Sequence, residues 1–421
     1  MMSLVKRRVA VTGLGVVSPN GNTVEDFWGN LIAGHSGLGP ITHFDASDFS
    51  VRIAGEVKDF NPEDWVERKE VRRMDPFTWY GIAATDMALA DAEFDFDGID
   101  LDRFGALVGS GTGGLHILQY QAGELAVNRN PRKFSPFMIP QMITDILVGH
   151  IAIKHGLRGP NFSISSACAT AANSIGEAFR MIQCGDADLM VAGGAEGTIN
   201  ELGIGGFAKM RALTSDFNDE PERGSRPFDA ARSGFVSAEG AGVLVLEEWD
   251  HAVQRGAHIH CELVGYGRTC DAYHITAPHE EGRGAARAIS LAMEDANVQP
   301  SDIDYINAHG TSTPLNDKGE TLAIKSALGE EFAYNVAISS TKSMTGHGLG
   351  AAAGFESVVC AKVLQEGVIP PTINYDTPDP DCDLDYTPNQ AKEKNVDYCL
   401  NTSLGFGGHN ACLCFRRYQA E

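Results

Sequence analysis

Apolar and polar positions along the chain follow two periods. Two-residue alternation or short continuous apolar runs fall at residues 8–17, 104–109, 161–165, 189–193 and 242–247, then at 261–267, 303–308, 336–340 and 399–403. Between them, residues 76–92, 171–184, 284–296 and 349–365 repeat their apolar positions at helical spacing. Strand and helix in this succession predict a layered α/β architecture. The two strand series meet near residues 254–261, which divides the chain into halves 1–256 and 257–421. Each half opens with a strand that runs into closely spaced glycines, Thr12-Gly13-Leu14-Gly15 in one and Gly265-Tyr266-Gly267 in the other, as a duplicated domain would. Residues 210–242, broken by Asn218, Asp219, Pro221, Gly224 and Pro227, read as a surface excursion, and so do residues 370–388.

Composition narrows the class. At 421 residues, 43% hydrophobic and 21% charged, the chain is a globular protein with room for a large core. No apolar run approaches the roughly 18 residues that a membrane helix needs. Lys6, Arg7 and Arg8 lead straight into the first strand pattern without a signal-peptide core, so the expectation is a cytoplasmic protein. Nine cysteines, none in a CxxC pair, suit a reducing compartment, and Cys412 and Cys414 alternate along an apparent strand as packing residues. A net charge of −23 argues against nonspecific binding to nucleic acid or anionic membranes.

Three sites carry candidate chemistry. In Ser163-Ile164-Ser165-Ser166-Ala167-Cys168-Ala169-Thr170-Ala171, a strand-like run meets small residues and then a helical pattern, which would lift Cys168 to a helix start. There the helix dipole favours the thiolate, a good nucleophile for thioester exchange; a buried structural thiol is the plainer alternative. His309-Gly310-Thr311-Ser312-Thr313-Pro314 follows a strand, where α/β sheets form ligand sites. Thr341-Lys342-Ser343-Met344-Thr345-Gly346-His347 follows another, just before a helix whose N-terminus would keep His347 neutral. Lys342 reads either as a buried ion-pair partner or as a surface lysine, and on its own the surface reading wins. The order Cys–His–His, each at a strand end, says more than any one motif.

These residues resemble the β-ketoacyl-acyl-carrier-protein synthases, condensing enzymes of the thiolase superfamily. The shared motifs are Ser166-Ala167-Cys168, His309-Gly310-Thr311-Ser312-Thr313, Lys342 with Gly346-His347, Val11-Thr12-Gly13-Leu14-Gly15 and Gly405-Phe406-Gly407-Gly408. Asp271-Ala272-Tyr273-His274 and Asn307-Ala308-His309 look more like type II than type I members. The resemblance implies a five-layered α-β-α-β-α fold of two similar halves, the first carrying the nucleophile and the second the two histidines, normally as a homodimer. It implies acyl transfer to Cys168, an oxyanion hole from the Cys168 and Phe406 amides, and a malonyl-derived enolate hydrogen-bonded by His309 and His347. Lys342 would hold the site's charge, with Glu320 as its acidic partner. Thr311 and Thr313 would bind the phosphopantetheine arm, Phe406 would gate the pocket, and Thr112, Phe207 and Leu404 would line or flank the acyl tunnel. No metal or organic cofactor is implied beyond the phosphopantetheine that arrives on the carrier protein. Thr112 in place of an aliphatic residue, Leu404 in place of phenylalanine and His409 in place of threonine depart from the family pattern and leave chain length open.

An acidic acyl-carrier protein is the implied partner, and three basic clusters stand out against the acidic background. Arg68, Lys69, Arg72 and Arg73 form the first and Lys209 with Arg211 the second; both are expected to dock the carrier, while Arg129, Arg132 and Lys133 form a third. Rival readings are a ketosynthase of polyketide or polyene assembly, which shares every catalytic residue, and a non-catalytic chain-length partner subunit, which typically lacks the nucleophile. A degradative thiolase needs a second cysteine where Phe406 and His409 stand, and a papain-like hydrolase has no use for a second strand-end histidine.

Overall fold

A computed structural model describes residues 6–94 and 96–419. The main sheet holds nine strands: β1 (Val9–Val17), β2 (Phe104–Gly109), β3 (Leu189–Glu196), β4 (Gly240–Glu248), β5 (Cys261–Cys270), β6 (Tyr305–Asn307), β7 (Ala337–Ser339), β8 (Tyr398–Gly405) and β9 (His409–Arg417). Their order is β2-β3-β4-β1-β5-β9-β8-β6-β7. The two halves repeat one connectivity. In the first, β1 pairs antiparallel with β4, β4 antiparallel with β3, and β3 parallel with β2. In the second, β5 pairs antiparallel with β9, β9 antiparallel with β8, and β8 parallel with β6. A short antiparallel ladder, Val9 opposite Leu263 to Val11 opposite Cys261, joins the halves into one sheet.

Helices complete the layers. α1 (Pro76–Asp91) packs on β1, β3 and β4 on one outer face, and α3 (Arg283–Ala296) packs on β5 and β9 on the other, with α4 (Pro314–Leu328) beside it. Between the half-sheets lie α2 (Thr170–Cys184) and α5 (Ala352–Glu366), each touching strands of both halves and each other. α5 is buried on nearly every side, as a helix with sheets above and below must be. The result is the expected five-layered α-β-α-β-α arrangement.

Most of the expected elements form where the periodicity puts them. The run at 161–165 does not become a strand. It makes one parallel bridge, Asn161 to Ala106, and Asn161 and Phe162 are exposed. Pro160 offers no N–H to a ladder, and among the described residues no further strand lies outside this edge to extend it. Among the described residues no helix is long and apolar enough to cross a membrane.

Candidate active site

Cys168 lies in a 3₁₀ turn, Ala167–Ala169, that runs directly into α2. Ala167 adopts φ +52°, a left-handed conformation seldom taken by a residue with a Cβ, so the turn is sharp and held from outside. Ser166 donates its N–H to Thr170 Oγ1 at 2.9 Å, and Asn173 Nδ2 donates to Ser166 Oγ at 2.6 Å. The end of β8 closes over this turn. A Cβ on Gly405 would stand 2.7 Å from Ser166 O and 3.3 Å from Cys168 N, so only glycine permits the approach. That contact brings the next residue, Phe406, to Cys168, and the Phe406 and Cys168 amides both act on the sulfur to lower its pKa.

His309 follows β6 and is pinned through its backbone. Its N–H and that of Gly310 each donate to a Glu320 oxygen at 2.7 Å, and Thr402 Oγ1 both accepts from His309 N–H and donates to Glu320. His347 is clipped by the neighbouring chain: its N–H donates to Val236 O at 2.8 Å and its carbonyl accepts from Ala238 N–H at 2.9 Å. The two imidazoles meet edge to face with centroids 5.2 Å apart, and the ring of Phe235 backs His347 at 5.2 Å.

Lys342 is buried, contrary to its surface reading, and its ammonium pairs with Glu356 of α5. Glu320, expected as the acidic partner, instead takes the His309–Gly310 amides; it lies within electrostatic reach of Lys342 without a direct bond. The sequence signal for Glu356 is an acid set among apolar residues in the interior of α5. Burial, then the Lys342 charge, push His309 and His347 well below the ordinary imidazole range, with His347 adding to the effect on His309. Burial and the Lys342 charge keep both rings neutral, and His347 does stand just before the helical turn Leu349–Ala351 that leads into α5. Cys168 also departs from expectation. Burial pushes its thiol up to about 12, outweighing Lys342 and the two amides.

One cavity of about 460 Å³ gathers these groups. Cys168, His309, His347 and Phe406 line it together with Thr311, Thr313, Thr112, Phe207 and Leu404. The hydroxyls of Thr311 and Thr313 are bonded to each other at 2.9 Å, and Phe207 packs edge-on against Phe235. Phe235, and Glu196 at the end of β3, are among the wall residues that the sequence did not single out. The basic clusters separate. Arg211 lines the cavity, and neither it nor Lys209 forms an ion pair among the described residues. Arg68, Lys69 and Arg73 lie outside the cavity lining and make exposed ion pairs with Glu63, Glu67 and Glu70, while Arg72 forms none among the described residues.

A buried cysteine at a strained turn, two neutral histidines and a buried lysine define a condensing-enzyme type of site, and sequence comparison agrees. The N-terminal domain model of β-ketoacyl synthase matches residues 6–252 and its C-terminal domain model residues 260–376; the chain belongs to this family. Over 419 residues it is 51% identical to 3-oxoacyl-[acyl-carrier-protein] synthase 2 of Synechocystis, covering 100% of both chains. It is 48% identical over 414 residues to the protein of that name from Staphylococcus aureus, covering 98% of this chain and 99% of the other. Among solved structures, a type II polyketide ketosynthase bound to its acyl-carrier protein and a hexaketide superposes with TM-score 0.91 at 36% identity, covering 98% of this chain and 100% of that one. A β-ketoacyl synthase from Burkholderia phymatum gives TM-score 0.90 at 34% identity over the same shares.

Proposed function

We propose that the chain is a 3-oxoacyl-acyl-carrier-protein synthase that lengthens fatty acyl chains by two carbons, with Cys168, His309 and His347 as its chemical groups. The reading is supported above all by the single cavity that these three residues line. In the first stage the Cys168 sulfur attacks the thioester of an acyl-carrier protein, the Cys168 and Phe406 amides take the oxyanion, and the carrier's thiol departs with the Cys168 proton. In the second stage a malonyl thioester loses carbon dioxide, and the bond's electron pair becomes an enolate. His309 and His347, neutral and able to donate, hydrogen-bond its oxygen. The carbanion attacks the Cys168 thioester, the 3-oxoacyl product leaves on the carrier, and the sulfur takes up one proton from solvent. Two imidazole donors supply the electrophilic assistance, so the scheme calls for no metal or organic cofactor.

The carrier protein is the natural partner in this reading, because the substrates reach the cavity on its phosphopantetheine arm. A homodimer and a cytoplasmic setting complete it; nine unpaired cysteines suit a reducing compartment. The deciding experiment supplies malonyl-carrier protein with straight acyl chains of graded length or with polyketide intermediates. Elongation of straight chains, with carbon dioxide release suppressed in His309→Ala and His347→Ala while Cys168 still acylates, is the expected result. Elongation of polyketide intermediates alone would place the chain in polyketide assembly instead.

A further inference from the structure

Glu196 is fully buried in the cavity wall, yet the chemistry above gives it no part. Its carboxylate collects five hydrogen bonds. Oε1 accepts from Ser110 Oγ at 2.9 Å, Thr112 N at 3.2 Å and Thr112 Oγ1 at 2.5 Å; Oε2 accepts from Gly111 N and Gly350 N, both at 2.9 Å. Gly113 N–H donates to Ser110 Oγ, which leaves the serine proton for Glu196. Amides donate and cannot accept, so the three of them favour an anion, although burial works in the opposite direction.

What these donors belong to matters more than their number. Residues 110–113 follow β2 and carry Thr112 into the acyl pocket, and Gly350 stands three positions after His347. The backbones are in contact: a Cβ on Gly350 would lie 2.5 Å from Glu196 Oε2 and 2.5 Å from Gly111 N. A Cβ on Gly111 would lie 2.8 Å from the same carboxylate oxygen and 3.5 Å from the carbonyl of Ala167, beside Cys168. We propose that Glu196 is a positioning residue whose carboxylate clasps the Thr112 loop to the turn after His347, beside the Cys168 turn, and so sets the spacing between the acylated sulfur and the histidine pair.

The inference rests on the condensation reading and deepens it. Acyl transfer needs the sulfur and its two amides, and decarboxylation needs the two imidazoles. Only carbon–carbon bond formation needs both sets at one separation, so loosening the clasp should uncouple the stages. A misplacement of about 1 Å costs about 100-fold in a step that depends on alignment.

The test uses full-length protein with acyl- and malonyl-carrier proteins, following Cys168 acylation, carbon dioxide release and 3-oxoacyl product in one sample. Glu196→Gln, which turns an amide NH₂ towards the donors, should lower product formation about 100-fold while carbon dioxide release falls less than about 10-fold. Thr112→Val removes one clasp bond at constant volume and should uncouple in the same direction to a smaller extent; it decides the matter if Glu196→Gln does not fold. Glu196→Asp, which keeps the charge, should restore part of the coupling. If the ratio of product to carbon dioxide stays at the wild-type value in both variants, however slow they are, Glu196 has only a structural role. A wild-type chain that makes no product would overturn the condensation reading and the clasp with it.

Discussion

Surroundings, more than residue type, set the chemistry of the central side chains. Cys168 is a thiol pushed up to about 12 by burial, so its proton leaves only as the thioester is attacked. Alkylation of Cys168 by iodoacetamide should therefore climb about tenfold per pH unit through about pH 9 without levelling off; a plateau below pH 8 would reveal a resting thiolate. The histidines give the opposite sign. Their folded pKa values lie well below 6.5, so acidification from about pH 8 to 6 leaves both rings neutral and decarboxylation unchanged. Linkage gives a matching cost: below about pH 6.5 an unfolded chain binds protons at these histidines that the folded chain refuses, so stability falls as the pH drops. Cys168, His309 and His347 were legible in the sequence because each stands at the end of a strand-like run. Their ionisation states were only half legible, because burial and the Lys342 charge arise from packing between distant segments. Lys342 and Glu356 show the limit: neither residue alone discloses that the two form a buried pair.

Strands and helices were the most readable level. α2, α3 and α5 form close to where apolar spacing put them, because all three pack along long buried faces. The exception, 161–165, had an extended pattern but, among the described residues, no outer neighbour to complete a ladder. Periodicity also says nothing of how elements meet, and the site depends on such a meeting at Gly405. Gly405→Ala would place a methyl group 2.7 Å from Ser166 O and 3.2 Å from Ala169 N, forcing the end of β8 away from the nucleophile turn. The Phe406 amide would retreat with it. Acylation of Cys168 should slow about 100-fold, with a loss of about 1–3 kcal/mol in stability from the overpacking. Acylation kinetics and thermal melting measure the two effects, and an unchanged acylation rate would show that the approach is not needed.

For the whole molecule, an excess of 23 negative charges must coexist with an acidic partner. Favourable steering then falls to the few cations left free near the cavity. Lys209 and Arg211 meet that condition, whereas Arg68, Lys69 and Arg73 sit in local pairs. Arg211→Glu should raise KM for carrier-bound substrate about fivefold or more at low ionic strength and less in high salt, while Arg68→Glu should change it little. Equal effects of the two reversals would show that both clusters dock the carrier. The layered duplication that surrounds the cavity places the nucleophile of one half beside the histidines of the other, and the claim that matters most is that this nucleophile holds the growing chain. Intact-mass spectrometry after mixing with acyl-carrier protein tests it directly. One acyl mass should appear on the peptide bearing Cys168 and vanish when malonyl-carrier protein yields a product two carbons longer, and Cys168→Ala should show neither adduct nor product. An adduct on another residue, or product from Cys168→Ala, would contradict the account.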